Sequence, residues 1–329
     1  MDGGILTLVI SGAVLVGGAI GWLVRQFQQR KEAKRRAAND AGNILKERKK
    51  HLEDMISKTG DNDAKQILLN QLDEVNALLL GLYTKRGRTI LEEAGLPPEE
   101  ILIAEGRSQL QPQQTNQLKG ITEELTSLPA PLSIESLSIL ASAYYYTLRY
   151  QDAKCVLDKI LSLNPNDATA LNNRGVLYEE FKRYEEALAD FSRSLELSPD
   201  DPATLNNRGV THSKLKRYKE ALADYNRSLE LRPDYPDTLD NRGTTHSKLK
   251  GYKEALADFS RSLELRPDNG GTLYNLACLF SLWGKTDDAL AYLEKAIDKD
   301  KKWCEDAKTD EDFENIRNDP RFKKLIKSE

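Results

Sequence analysis

Between residues 168 and 269 the apolar positions form helix-like runs, and the whole pattern repeats every 34 residues. Each block has two apolar runs with steps of three and four residues, which predicts two amphipathic helices separated by a short polar turn. A proline closes each second run, because proline cannot continue a helix interior. The blocks begin at Ala168, Pro202 and Pro236. A fixed period of this length predicts stacked helical hairpins that share one core.

The residues at fixed places in each block resemble the pattern of the tetratricopeptide repeat family. The first block supplies Leu171, Gly175, Tyr184, Ala187, Phe191 and Pro199. Two weaker blocks extend the array, and the last of them has Lys301 where the family prefers proline. The resemblance implies an all-α chain with a C-terminal α-solenoid of five repeats, at residues 134–167, 168–201, 202–235, 236–269 and 270–303.

After the last repeat, residues 304–329 are predicted to form a C-terminal cap with short helices. The pair Asp319-Pro320 favours a helix start, because aspartate caps free N–H groups and proline suits the first turn. We expect five apolar side chains to cover the open face of the fifth repeat: Trp303, Phe313, Ile316, Phe322 and Leu325. This ending resembles the tails of bacterial members of the family, which implies a role in solubility and stability rather than in recognition.

Residues 5–24 contain no charged side chain. As a helix they would span roughly 30 Å, the thickness of a bilayer's hydrocarbon core. A secretory signal peptide is the alternative, but no Lys or Arg precedes the run and no clear cleavage site follows it. Arg25, Arg30, Lys31, Lys34, Arg35 and Arg36 follow the run. The sequence therefore predicts a single transmembrane helix, with residues 1–4 outside and the repeats on the cytoplasmic side.

Small residues recur every four positions on one face of the predicted transmembrane helix: Ala13, Gly17 and Gly21. Such a face lets two membrane helices pack closely and predicts a homodimer. The alternative is that glycine is simply common in membrane helices.

Residues 25–130 are predicted to form a helical, membrane-proximal region that ends in a Gln- and Pro-containing linker. Residues 25–60 hold eleven Lys/Arg against five Asp/Glu, a net charge of +6, which either lies near anionic lipid or only enforces topology. An amphipathic helix is expected over 63–93, a polar linker over 108–117 and a helix over 114–127. Proline-rich residues 128–131 place the boundary of the repeats near residue 130.

Composition and motifs argue against catalysis and against nucleic-acid binding. The net charge is −4, with acidic and basic residues in near balance. The three cysteines form no CxxC pair, and the histidines at 212 and 246 occupy a repeat slot that holds Tyr144 and Tyr178 in earlier blocks. No Gly-rich phosphate loop or metalloprotease motif is present. The sequence therefore predicts a protein that is not an enzyme and has no cofactor and no metal site.

Arginine and aspartate occur together in the three central repeats. Where these repeats carry the two charges, the outer repeats carry Leu140 with Val156 and Leu276 with Tyr292. An unpaired charge between helices is costly, so the co-occurrence predicts structural ion pairs. Recent duplication of the repeats would produce the same coincidence. The predicted pairs are Arg174–Asp190, Arg208–Asp224 and Arg242–Asp258.

In four consecutive repeats an asparagine comes directly before the position that holds arginine in the three central repeats. In two of these repeats a further asparagine precedes it. In the family the first helix lines a concave groove, and the row resembles the asparagines with which some members hold an extended peptide. The alternative is that Asn-Asn-Arg-Gly is a common filler. The carboxylate clamp of chaperone-binding members is not matched, which disfavours that partner. The candidate peptide-binding residues are Asn173, Asn207, Asn241, Asn275, Asn172 and Asn206.

These features predict a membrane-anchored scaffold or adaptor that binds a protein segment in its groove and recruits or assembles a membrane-associated complex. A self-associating structural organiser is the rival hypothesis, and a regulatory subunit of a membrane enzyme is a third. The sequence does not distinguish the adaptor from the regulatory subunit, because the two differ only in the partner.

Overall fold

The computed structural model describes residues 39–60, 62–94, 96, 110–128 and 132–327. Within these ranges the regular structure is helical. None of the described helices combines the length and the apolar composition needed to cross a membrane. The predicted span at 5–24, with Ala13, Gly17 and Gly21, lies outside the described ranges and stays a prediction.

Contacts between Cα atoms divide the chain into two compact units. The first unit contains the described residues of Met1–Arg86 together with Glu123–Ser136. The second contains those of Gly87–Thr122 together with Leu137–Glu329, and it includes the repeats. The helices before the repeats are α1 (residues 39–58), α2 (Asn62–Glu93) and α3 (Pro112–Ser127).

In the first unit, α1 and α2 lie side by side. A Cβ on Gly42 of α1 would be 3.2 Å from Leu82 of α2, and the Lys46 ammonium lies 5.7 Å from the ring centre of Tyr83. The core takes Val75, Leu79 and Tyr83 from α2. The helix predicted over 63–93 is therefore present, but part of the predicted apolar stripe is exposed. Ile67 and Leu78 are 60% and 59% exposed, because the neighbouring helix covers a different face.

Helix α3 begins earlier than expected, inside the predicted polar linker. Pro112 stands at its start, and the side chain of Gln114 accepts a hydrogen bond from the Gln111 backbone N–H at 2.9 Å. Proline is favoured in the first turn and glutamine is a good helix former, so the run of glutamines continues into a helix.

Ten helices form the five hairpins of the array, and each first helix begins where a sequence block begins. The pairs are α4 (Ile134–Tyr146) with α5 (Tyr150–Leu163), α6 (Ala168–Glu180) with α7 (Tyr184–Leu197), α8 (Pro202–Lys214) with α9 (Tyr218–Leu231), α10 (Pro236–Lys248) with α11 (Tyr252–Leu265), and α12 (Gly270–Leu282) with α13 (Thr286–Lys299). The first helices also contact one another from α6 to α12 and so form a continuous row.

Short polar signals begin and end these helices. The Asp167 carboxylate accepts the Ala170 N–H at 2.9 Å, which caps α6.

Each turn inside a hairpin contains one residue with a left-handed backbone. Four of these residues are not glycine and have φ between 58° and 63°: Leu148, Lys182, Lys216 and Lys250. Only the fifth repeat has glycine in this slot, Gly284, with φ 77°.

A glycine in each central first helix allows the second helix to approach closely. A Cβ on Gly209 would lie 2.6 Å from the Tyr225 ring, and Gly175 and Gly243 face Phe191 and Phe259 in the same way. The three rings are almost completely buried. The glycine therefore provides the space into which the aromatic ring packs.

The C-terminal cap consists of α14 (Lys302–Thr309), a 3₁₀ turn (Glu311–Phe313) and α15 (Pro320–Leu325). The Asp319 side chain accepts the Arg321 N–H at 2.8 Å at the start of α15. The five apolar residues expected to cover the last repeat pack in one cluster with α12 and α13. Phe313, Ile316 and Phe322 are buried there, and Trp303 and Leu325 are partly buried.

Candidate functional site in the row of first helices

The three Arg and Asp residues of the central repeats face each other within each hairpin. Arg208 donates from Nε to Asp224 Oδ2 at 2.9 Å and from Nη2 to Asp224 Oδ1 at 2.6 Å. The same two-pronged contact joins Arg174 to Asp190 and Arg242 to Asp258. This fork-to-fork geometry is the strongest form of a side-chain hydrogen bond.

Each of these arginines also contacts the preceding repeat. Arg174 Nη1 donates to Asp158 at 3.0 Å, and Arg242 Nη1 donates to Asn226 at 2.8 Å. The hydrogen bonds that Arg174 donates to Asp190 and Asp158 outweigh the effect of burial and raise the pKa of Arg174. These side chains therefore join both the helices within a repeat and the second helices of neighbouring repeats.

The predicted asparagine row lies inside the row of first helices. Asn207 Nδ2 donates to Asn172 Oδ1 at 3.0 Å, and Asn241 Nδ2 donates to Asn206 Oδ1 at 3.0 Å. Asn172, Asn206 and Asn207 are at most 1% exposed, and Asn173 is buried too. In this arrangement their amides link successive repeats, and contact with a peptide would require them to exchange partners. Direct peptide contact by this row stays a prediction.

The last two asparagines of the row, Asn241 and Asn275, line an open cleft of 340 Å³ between α10 and α12. Its wall also contains Trp303 and Gly271, and its other polar or aromatic residues are Asp237, Asp240, Asn269 and Tyr274. Sequence reasoning did not identify this cleft. The sequence does mark the cleft, because the position that holds Asn172 and Asn206 in the earlier repeats holds Asp240 and Tyr274 in the last two.

The groups in the cleft are held in fixed positions. Thr272 donates its hydroxyl to Asp240 Oδ2 at 2.8 Å, and Arg266 donates to Asp237 Oδ1 at 2.6 Å. Tyr274 donates to Asp310 Oδ2 at 2.9 Å and stacks on Trp303 with ring centres 4.7 Å apart. Burial, followed by nearby acidic groups, raises the pKa of Tyr274, so its hydroxyl remains a donor.

A second cleft lies beside the first, where the cap meets α10 and α12. Lys248 Nζ donates to both oxygens of Asp312, at 2.9 and 3.1 Å. Burial alone would lower the pKa of Lys248. The hydrogen bond to Asp312 and the negative charges of Asp312 and Asp310 together have a larger effect, so the pKa of Lys248 is raised. Lys248 therefore stays charged, and the acidic turn of the cap lies on the same face as the first cleft.

One group of potential metal ligands occurs in the described part of the chain. Sγ of Cys278 and carboxylate oxygens of Asp310 and Asp312 lie within 4.8 Å of one another. Burial and the two carboxylates raise the pKa of Cys278 well above its ordinary value, so the thiol keeps its proton. The Lys248 ammonium already neutralises Asp312. The cluster is therefore explained by the ion pair and by hydrogen bonds.

The two repeat histidines lie in packing positions. Burial lowers the pKa values of His212 and His246, against the opposing charges of Asp224 and Asp258. His212 Nε2 is 3.9 Å from Asp224, and its buried Nδ1 has no hydrogen-bond partner. The slot is the one that Tyr144 and Tyr178 fill in the earlier repeats.

Comparison with solved structures supports the architecture. The chain is similar to a structure titled as a functional characterisation of Pseudomonas aeruginosa pilF, with a TM-score of 0.54 and 18% identity over 74% of this chain and 98% of that one. PilW, titled a widely conserved type IV pilus biogenesis factor, matches with a TM-score of 0.49 and 21% identity over 60% and 100% of the two chains.

YrrB, titled a repeat protein with an unusual peptide-binding site, matches with a TM-score of 0.42 and 23% identity over 56% of this chain and 92% of that one. A search of curated proteins returns no significant match. At 18% identity the likeness to the pilF structure shows the fold alone.

The family comparison concerns the repeats directly. The model described as tetratricopeptide repeat matches in three overlapping stretches, residues 166–234, 200–268 and 234–302. These stretches coincide with the hairpins from α6 to α13. Residues 166–302 of this chain are therefore tetratricopeptide repeats that form an α-helical solenoid.

Proposed function

We propose that the protein is an interaction scaffold whose row of first helices binds a segment of a partner protein. The observation that carries the proposal is the open cleft between α10 and α12. It places carboxylates and carboxamides beside aromatic rings on helices, and a few convergent polar groups beside aromatic side chains can fix the orientation of a bound ligand. The scaffold would bring its partner to a membrane-associated complex, including the case in which that partner is an enzyme.

Site-specific photocrosslinking in the producing cells tests this function. The photoreactive residue replaces Asn275, which is half-buried in the cleft, and a matched control places it at Glu294, which is exposed on α13. We expect a defined protein adduct from position 275 that is absent at position 294. Adducts of the same pattern at both positions, or none at position 275, would remove the support for a groove partner.

Membrane attachment is a separate part of the proposal. Its support is the uncharged run 5–24 followed by six basic residues. Fractionation of cells that produce the full chain, beside a variant lacking residues 5–24, tests it. We expect the full chain in the carbonate-resistant membrane fraction and the variant outside it. Recovery of both proteins in the same fraction would contradict the anchor.

Self-association is the second candidate function, and the first unit carries an observation in its favour. Ile44 of α1 and Ile67 and Leu78 of α2 are each more than half exposed, which is unusual for large apolar side chains on the described helices. Lysine at positions 67 and 78 should convert a dimer of the full chain in detergent to a monomer. A wild-type chain that is monomeric at all concentrations would reject this candidate.

A further inference from the structure

The acidic turn of the cap contacts the row of first helices through Lys248. The second cleft has a volume of 220 Å³ and is lined by Lys248 of α10 together with Asp310 and Asp312 of the cap. Among the described residues, the Asp312 carboxylate accepts hydrogen bonds from Lys248 alone. Asp310 instead accepts from the Tyr274 hydroxyl and from the Asp312 N–H, so it is part of the structure of the turn. Asp312 is therefore the acidic side chain of the turn that serves only the lysine.

The preceding repeat shows a different partner for the equivalent lysine. Lys214 occupies the slot of Lys248 one repeat earlier, and its ammonium pairs with Glu179 of the second repeat, a side chain that is only 2% exposed. The slot of Glu179 holds Ser213 in the third repeat, which has no charge to offer Lys248. The ion pair that the repeats make internally at Lys214 is thus replaced at Lys248 by a contact with the cap.

The pair between Lys248 and Asp312 is accessible from solvent. The side chain of Lys248 is 44% exposed and that of Asp312 is 21% exposed. Water screens an ion pair at such a position, and exposed pairs contribute little net stability. The Asp312 carboxylate therefore has little to lose on leaving the lysine, and another carboxylate has a path to it that does not open the core of the repeats.

The turn leaves two hydroxyl groups of the second cleft unsatisfied. Ser247 precedes Lys248 on α10 and Thr244 lies one helical turn before it, and both line the cleft. Their hydroxyl oxygens are buried and have no hydrogen-bond partner in the described part of the chain, and Ser247 as a whole is 8% exposed. Such groups are costly to leave unpaired. The internal occupant therefore fits the charge of this cleft but not all of its hydrogen-bonding groups.

We propose that Asp312 is an internal substitute for a ligand, and that an acidic side chain of the partner segment displaces it from Lys248. The assignment rests on the proposed function and specifies its partner. A carboxylate has two oxygens with about four acceptor sites, so it accepts from the ammonium and from a neighbouring hydroxyl together. Asn275 lines both clefts, so a segment bound along the first cleft extends to Lys248. The cap then acts as a competitor that lowers the apparent affinity of the partner.

The rate at which Lys248 is acetylated, measured by mass spectrometry on the full chain in detergent, tests this exchange. Lys253, exposed on α11 of the same repeat, is the internal control. The probes are acetyl-Ala-Asp-Ala amide and acetyl-Ala-Asn-Ala amide, which have nearly the same shape and differ in charge. D312N should speed acetylation of Lys248 at least threefold, because only the neutral amine reacts and pairing favours the ammonium.

The aspartate peptide should slow the acetylation of Lys248 in D312N in a saturable manner, and the asparagine peptide should not. The wild type should need at least threefold more aspartate peptide for the same protection, because Asp312 competes with it. Lys253 should react at one rate throughout. Cys304, which is buried in the cap, should stay protected from thiol reagents in D312N, which shows that the cap remains folded.

E311Q is the matched control for D312N. It removes one negative charge from the same turn at an exposed side chain that does not line the cleft, so it should behave as wild type. Absence of protection by the aspartate peptide in D312N would overturn the proposal. Equal protection by the asparagine peptide, or equal behaviour of E311Q and D312N, would overturn it as well.

The photocrosslink at position 275 separates this proposal from the proposed function. D312N should raise the yield of the adduct, K248M should lower it and K253M should leave it unchanged. If the adduct forms equally in all of them, the scaffold function stands and the exchange at Lys248 is wrong. If no adduct forms while the aspartate peptide protects Lys248 in D312N, the acidic-ligand site stands and the scaffold function loses its support.

Discussion

Asn207 and Asn172 join two successive repeats by a side-chain hydrogen bond of 3.0 Å, and both side chains are buried. Replacing Asn207 by alanine leaves the Asn172 oxygen without this donor, and the cost of an unsatisfied buried group is about 1–3 kcal/mol. We therefore expect N207A to lower the free energy of unfolding, measured by urea and far-ultraviolet circular dichroism. N275A, at the half-buried end of the row, should cost less. Equal losses would contradict the cost assigned to the buried hydrogen bond.

The pair Arg208–Asp224 provides a second test, because the outer repeats show its apolar replacement. R208L leaves Asp224 almost buried without its forked partner and should destabilise the repeats by roughly 2–4 kcal/mol, less than a fully buried pair because Arg208 is partly exposed. R208L/D224V copies Leu140 and Val156 of the first repeat and should recover most of that loss. A double variant no more stable than R208L would contradict the assigned coupling.

Gly209 has no room for a methyl group, because its added Cβ would meet the buried Tyr225 ring at 2.6 Å. Forcing an extra carbon into a packed core costs about 1–3 kcal/mol, so G209A should lower the melting temperature. Gly120 of α3 is the matched control. It has nothing within 4 Å of an added Cβ, and G120A should be neutral or slightly stabilising. A stabilised G209A would show that the helices separate at little cost.

The left-handed turn at Lys216 predicts a stabilising substitution. A side chain at φ 59° is strained, and the fifth repeat uses Gly284 in the same slot. K216G should raise the free energy of unfolding by about 0.5–1 kcal/mol, since relief of strain exceeds the added freedom of the unfolded chain. K219G, inside helix α9, should have the opposite sign. The reverse exchange G284K should destabilise the last repeat.

The buried histidines predict acid sensitivity. Burial lowers the pKa values of His212 and His246 in the folded state, whereas in the unfolded chain they are about 6.5. The unfolded state therefore binds more protons between the two pKa values, and stability should fall as pH decreases below about 6.5. H212Y/H246Y introduces the residue of the earlier repeats and should flatten this slope in urea titrations. An unchanged slope would assign the acid sensitivity to other groups.

Much of the fold could be read from the sequence because the period of 34 specifies each helix pair several times. The same redundancy revealed the Arg and Asp positions, whose co-occurrence reflects a direct contact. The asparagine row was harder, because periodicity identifies equivalent positions but does not show whether a polar side chain faces a groove or the next repeat. Asn207 and Asn172 lie in adjacent slots, and only the stacking of helices brings them together.

The structure departs from the sequence-based predictions elsewhere because the sequence of one helix does not show which other helices pack against it. The stripe of α2 contains more apolar positions than one neighbouring helix covers, so Val75 and Leu79 are buried while Ile67 and Leu78 stay exposed. The cleft needs Trp303 from α14 together with Asp240 from the fourth repeat. No local pattern joins residues that are so far apart in the chain.

The third contact of each central arginine gives the array a direction. Arg174, Arg208 and Arg242 bind their own repeat with two nitrogens and the preceding repeat, never the following one, with the third. The residue that receives this third contact differs at each step: Asp158, Ser192 and Asn226. The junctions between repeats therefore differ in strength, and the ionic one lies at the N-terminal end. Because the later junctions have the neutral acceptors Ser192 and Asn226 in place of Asp158, we expect them to open more readily than the first.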